Sequence, residues 1–228
     1  MISDIFWSEL ITATRVTLSL ALITTITLTL LCPPLAWWLS QTQHRLRPFI
    51  EALASLPLVL PQTVIGFYLL LSLSPDGFIG SSWMALTGES LAFSFSGLVL
   101  GSVIYSLPFV LQPLVTAFRT MDEQLLEAAA ALGASPITRF FSVVLPMHKR
   151  ALIAAATLGF AHTLGEFGIV LMIGGNLEGE TRVLSIVLFD QVESLRYQDA
   201  HTTALLMLVL ALLTLTLIYR YQGPSRDV

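Results

Sequence analysis

Charge is what this sequence has least of. Only 11% of its 228 residues are Asp, Glu, Lys or Arg, against roughly a quarter in a soluble domain. With 55% hydrophobic residues and a mean hydropathy of +0.80, a water-exposed globule is excluded. One cysteine is present, Cys32, so no disulfide can form within the chain; its place in an apolar run predicts a small buried hydrophobe. The one lysine, Lys149, follows Met147-His148, and no Gly-x-x-x-x-Gly-Lys-Ser/Thr loop occurs, so the chain cannot hold ATP by that device. Nor do the apolar segments contain a His/Asp/Glu cluster at metal spacing or a Ser-His pair, which argues against an intramembrane enzyme. His44, His148, His162 and His201 are scattered, and only His162 lies deep.

What is there instead is a series of charge-free runs. Val16 to Leu39 and Ala52 to Pro75 are 24 residues each, Ser90 to Phe118 is 29, and Ala200 to Tyr219 is 20. A fifth, Ala151 to about Gly175, is interrupted by Glu166 alone. About 20 helical residues cross a hydrocarbon core, and helices satisfy their own backbone there. These runs do not alternate as barrel strands would. The fold class is therefore all-α, a polytopic membrane protein of about five transmembrane helices. The first run has an acidic head (Asp4, Glu9) and no small-x-small site, so it reads as a mature helix and not a signal. Ser3-Asp4 is expected to cap a short interfacial turn carrying Phe6 and Trp7. Eight of the eleven basic residues (45, 47, 119, 139, 149, 150, 220 and 226) fall on one side of this arrangement. That side is cytoplasmic, which puts the N-terminus outside and the C-terminus inside.

Between spans three and four lies a stretch too broken to span. Met121 to Leu132 consists of strong helix formers with acids at its start. Gly133 suits a left-handed C-cap, Ser135 an N-cap, and Pro136 a first helical position. A second helix is expected through Phe140 and Phe141 to Pro146. The result is a helical hairpin with a smooth run of Ala128 to Ala131. Pattern alone also allows a solvated hairpin with no partner.

Within the spans, Pro57 and Pro61 each remove a backbone donor and must kink span two ahead of Gly66. This is either a packing kink or a pathway wall. Gly97 and Gly101 permit close helix approach, read as packing inside one subunit. His162 and Glu166 are four apart on a segment rich in small residues, including Gly165 and Gly168. An acid at this depth is either functional or held by hydrogen bonds to a neighbouring helix. It would repel an anion, so holding or gating fits better than ligation. Val183 to Phe189 is apolar but too short to span, and is expected at the interface or dipping in.

Glu127-Ala128-Ala129, Gly133 and Val143-Val144-Leu145-Pro146 resemble the signature of bacterial ABC importer permeases, with Val143 where Ile is usual. The segment Phe160 to Gly168 resembles molybdate and sulfate importer permeases, which usually carry Arg at the position of His162. Leu56 to Leu70, Gly77 to Gly80 and Glu180-Thr181-Arg182 resemble the molybdate branch more closely. The resemblance implies the type I importer permease fold, one transmembrane domain over residues 1–228 with a cytoplasmic coupling insert at 119–150. It implies ATPase coupling through Glu127, Ala128, Ala129, Gly133, Ala134, Ser135, Leu145 and Pro146. A pathway or gate would involve Pro57, Pro61, Gly66, His162, Gly165, Glu166 and Gly168, with no catalytic or metal residue.

The chain itself would bind no cofactor; ATP and Mg belong to a partner. Implied partners are an ABC ATPase dimer, an external oxyanion-binding protein docking on segments 76–89 and 174–200, a second copy of the chain and membrane lipid, with no nucleic acid. Placement is the bacterial inner membrane, multi-pass. The cargo expected is molybdate, with sulfate or tungstate as alternatives. No Lys or Arg lies within the depth of a span, so selectivity must come largely from the external protein. A secondary anion transporter without an ATPase would want intramembrane charge pairs or inverted repeats, and neither is seen.

Overall fold

In lipid, a segment that cannot reach water has to close its backbone hydrogen bonds on itself, and the computed structural model, which describes residues 2–222, is helical throughout with no strand among them. Three helices are long and apolar enough to cross: α1 (Ile2–Gln41), α5 (Phe95–Arg119) and α12 (Tyr197–Gln222). Several threonine hydroxyls of α1 fold back within the helix, as in Thr17 to the Ala13 carbonyl at 2.8 Å and Thr25 to the Ala21 carbonyl at 2.6 Å. That explains how a threonine-rich run lives among apolar neighbours. α1 continues unbroken from Ile2, so the separate interfacial turn expected near Ser3-Asp4 does not form. The side chains of Ser3 and Asp4 lie outside the described residues, as does Arg226.

The other two spans are broken, and span two more sharply than by a simple kink. Span two is α2 (Arg47–Ser55), a 3₁₀ turn at Leu56–Leu58, and α3 (Gln62–Leu73), with a bend of 108°. Pro57 and Pro61 sit four apart around Val59 and Leu60, so two successive turns lose a donor and the chain turns a corner. Span four, expected as one helix, is two: α9 (Lys149–Leu164) and α10 (Gly168–Gly174). Gly165 caps α9 and the chain leaves helical geometry at Phe167. Outside span two, α4 (Phe78–Thr87) ends at Gly88 in the left-handed region.

The insert forms as the residues dictate. Asp122 caps α6 (Glu123–Ala131), accepting from Gln124 N at 2.9 Å. Gly133 takes φ +86, Ser135 accepts from Thr138 N at 3.1 Å, and Pro136 opens α7 (Pro136–Arg139). A wide π turn follows at Phe140–Val144 and leads into α8 (Leu145–Met147), where Pro146 offers no donor to a regular turn. At His148 the chain bends by 76° into α9.

Buried Leu126 and Val144 key the insert into the core formed by Leu28, Cys32 and Leu39 of α1 and Leu111, Leu114 and Phe118 of α5. Beside it, Glu51 accepts from Arg47 at 3.0 Å and Arg119 at 2.5 Å, tying α2 to the end of α5. Gly101 packs on Ile173 of α10, an approach inside one chain. The short apolar segment becomes α11 (Leu184–Glu193), which dips into the protein against α1 and α12 with Leu184, Ile186 and Val187 buried.

Candidate functional site

Two places stand out: the paired breaks of spans two and four, and the insert. The breaks meet. At the start of α3, Gln62 Oε1 accepts the Gly168 N–H at 2.8 Å, which joins the first residues of α3 and α10. One turn on, Gly66 lies against α10 so closely that a Cβ there would stand 2.8 Å from Met172 Cβ and 3.4 Å from Ile169 Cα. Gly66→Leu should cost about 1–3 kcal/mol through overpacking and push the two half-helices apart. A fall in the unfolding temperature of the purified chain together with loss of uptake checks it; an unchanged melting curve contradicts it.

Glu166, between the half-helices of span four, is 2% exposed. Ser102 of α5 donates to its Oε2 at 2.5 Å and Ser106 to its Oε1 at 2.6 Å. Ser185 of α11 donates to its backbone carbonyl at 2.6 Å. His162 Nδ1 stands 3.6 Å from Oε1 and 2.8 Å from Ser106 Oγ, and its ring stacks on Phe109 with centroids 3.6 Å apart. A buried carboxylate without such partners would cost several kcal/mol. Here two serine hydroxyls accommodate it, so the residue clamps the break to α5.

The sequence-derived residues do not share one chamber. Pro57 lines a cleft of about 570 Å³ in the elbow of span two, with Leu60, Ile65, Ile104 and Leu107 on its walls. Ile104 and Leu107 occupy one face of α5, and Ser102 and Ser106, which hold Glu166, occupy the other. Pro61 is exposed at the N-cap of α3, next to Val59, which is 82% exposed. Gly165 is also exposed and opens toward α11 and α12. What joins the two halves is Gln62, with Gly66 and Gly168.

In the insert, Glu127, Ala128, Gly133, Ser135 and Pro146 are exposed, while Ala129, Ala134 and Leu145 are half-buried. Leu132 is 90% exposed and Ile137 71%, so the hairpin tip carries two apolar side chains on either side of Gly133. Sequence reasoning missed these, along with Ser102, Ser106, Ser185 and Gln62. A signal existed for one pair: Ser102 and Ser106 are hydroxyls four apart within a charge-free run, facing one direction on a helix. No local signal pairs Gln62 with Gly168, 106 residues away.

Outside the membrane core, Arg182 is held by Glu9 at 2.8 Å and by Asn176 at 2.6 Å, which fixes the loop before α11 to the start of α1. α4 leaves Phe78 and Leu86 about nine-tenths exposed.

Residues 10–224 match the family of binding-protein-dependent transport system inner membrane components. The molybdenum transport system permease protein ModB of Azotobacter vinelandii is 49% identical over 207 residues, covering 91% of this chain and 92% of that protein. A probable sulfate transport system permease protein, cysT of Chlorella vulgaris, is 36% identical over 188 residues, covering 82% and 70%. Among solved structures, the inward-facing MetNI methionine ABC transporter gives a TM-score of 0.74 at 16% identity, covering 99% of this chain and all of that one. A bacterial alginate ABC transporter in complex with its pentasaccharide-bound periplasmic protein gives 0.75 at 16% identity, covering 96% and 80%. On the sequence match over most of its length, this chain belongs to the inner-membrane components of binding-protein-dependent transport systems.

Proposed function

We propose that the chain is the permease subunit of an ATP-driven molybdate importer. The observation that carries the cargo is the 49% identity, over nine-tenths of both chains, to a molybdenum transport permease. The sulfate-permease relatives are less similar, at 36% or below, and make sulfate the second reading. Tungstate, another tetrahedral oxyanion, stays with molybdate.

In this reading two copies surround one pathway, since a bundle of five spans is thin for a route that must open to each side in turn, and twofold pairing is the commonest arrangement. The exposed apolar face of span two, from Val59 through Val64 and Phe67, is the surface we assign to the second copy. The insert is gripped by a separate ATPase. Its support is the tip itself: small alanines allow close approach, and Leu132 and Ile137 offer apolar anchors. ATP and Mg sit on that partner. An external oxyanion-binding protein docks on segments 76–89 and 174–200, with the N-terminus on its side and the insert in the cytoplasm. ATP draws the two ATPases together, the inserts follow, and their attachment through Leu126 and Val144 moves the α1–α5 core. The broken half-helices then turn the pathway outward to receive the anion.

Uptake of labelled molybdate into cells with and without the chain, in a large excess of sulfate, tests the cargo. Chain-dependent uptake that ignores sulfate is expected. Uptake abolished by sulfate moves the chain to the sulfate branch, and uptake independent of the chain refutes the assignment.

A further inference from the structure

Ser106 has three polar partners and one proton. Its Oγ lies 2.6 Å from Glu166 Oε1, 2.8 Å from His162 Nδ1 and 2.9 Å from Thr163 Oγ1. A hydroxyl donates once and accepts twice, so all three contacts are made only if two of these partners donate to it. The contact with Glu166 is the shortest of the three, in the range of a charge-assisted bond, with the serine hydroxyl donating and the carboxylate oxygen accepting. The Ser106 proton therefore goes to Glu166. Thr163 carries its own hydroxyl proton, with Ser106 Oγ and the Gly159 carbonyl at 3.0 Å both in reach. His162 has no such freedom. With Ser106 already donating to Glu166, Nδ1 has to bear a hydrogen and donate to Ser106.

We infer that Ser106 is the positioning residue of the span-four break: it directs its proton to Glu166 and thereby holds His162 in the Nδ1–H form. Free histidine in water favours the opposite tautomer, with the hydrogen on Nε2, so the assignment is specific to this site. One hydroxyl of α5 thus fixes the last turn of α9 through His162 and the break itself through Glu166. The ring cannot turn to escape, because it stacks on Phe109 and lies 5.0 Å from Tyr105 between centroids. Tyr105 and Glu166 are the other titratable groups facing it, and no Lys or Arg comes within 4.0 Å of Glu166 among the described residues. Ser102 holds the second carboxylate oxygen without touching His162, which separates clamping from tautomer control.

The consequence for transport rests on the importer reading above, whereas the tautomer can be read without cargo or ATPase. The full chain, labelled with 15N-histidine and placed in lipid nanodiscs, is examined by NMR at mildly alkaline pH. The His162 signals are those lost in His162→Gln. A protonated Nδ1 and a bare Nε2 are expected in the wild type. Ser106→Ala should move the hydrogen to Nε2 and lower uptake severalfold, and Ser106→Thr, which keeps the hydroxyl, should restore both. A wild-type Nε2–H signal overturns the inference, as does an Nδ1–H signal that survives Ser106→Ala. If the tautomer changes but uptake of the alanine variant equals wild type, the positioning role is wrong.

Discussion

Glu166→Leu should destabilise the purified chain by about 2–3 kcal/mol, because it leaves two serine hydroxyls on α5 facing a group that cannot accept. Glu166 is 2% exposed, with hydrogen-bond partners on α5 and α11. For a chain of this size that corresponds to a fall of roughly 5–10 °C in the unfolding midpoint, read by a thermal shift in detergent. Uptake should fall with it, because the turn between α9 and α10 loses its attachment. Glu166→Gln is the informative companion. It keeps an acceptor for Ser106 and removes the charge, so it should lose less than about 1 kcal/mol and retain most of the uptake. That contrast separates clamping from charge. A glutamine variant that is stable but inactive would show that the negative charge itself works in the pathway, and the clamp account would be wrong.

Gly133→Val should leave folding and membrane insertion nearly intact and remove ATP-coupled uptake. Gly133 has φ +86, and a Cβ added there meets nothing within 4 Å. The whole effect is therefore conformational: about 1–2 kcal/mol to hold a β-branched residue in the left-handed region. That energy exceeds what a solvent-exposed turn can bear without opening, and opening it changes the angle between α6 and α7. In the reading proposed here, this angle seats Leu132 and Ile137 on the ATPase, so uptake should drop at least about tenfold, the factor that 1.4 kcal/mol represents. Gly133→Asn should do far less harm, because asparagine enters the left-handed region readily. Uptake and cargo-stimulated ATP hydrolysis in reconstituted vesicles, measured beside the amount of inserted chain, decide the matter. Normal uptake in the valine variant would remove the insert from the coupling route.

Much of this molecule is written locally. The charge-free runs located three spans, the first of which reaches back to Phe6 from its run's start at Val16, since a helix of that length and apolarity has no other way to bury its backbone. The turn of the insert was legible, because caps depend on neighbours: Gly133, Ser135 and Pro136 act within one turn of themselves. The membership of the chain could be recognised from its signature at Glu127 to Pro146 for the same reason. In the broken spans the local signal was present but its size was not. Two prolines four residues apart announced a kink, but whether they give a gentle bend or a corner of 108° depends on what receives the freed backbone.

The breaks themselves could not be read from one segment. Gly168 looked like another small residue in a small-residue helix, yet α10 begins there and its N–H is accepted by a glutamine 106 positions earlier. Glu166 could be called buried and in need of a partner, but Ser102 and Ser106 become that partner only because α5 lies across the break. Periodicity, capping and hydropathy act over a few residues, and one sequence carries them in full. Hydrogen bonds between distant spans, and the proton arrangement they impose on His162, exist only after the helices have packed, because no term linking those residues acts along the chain.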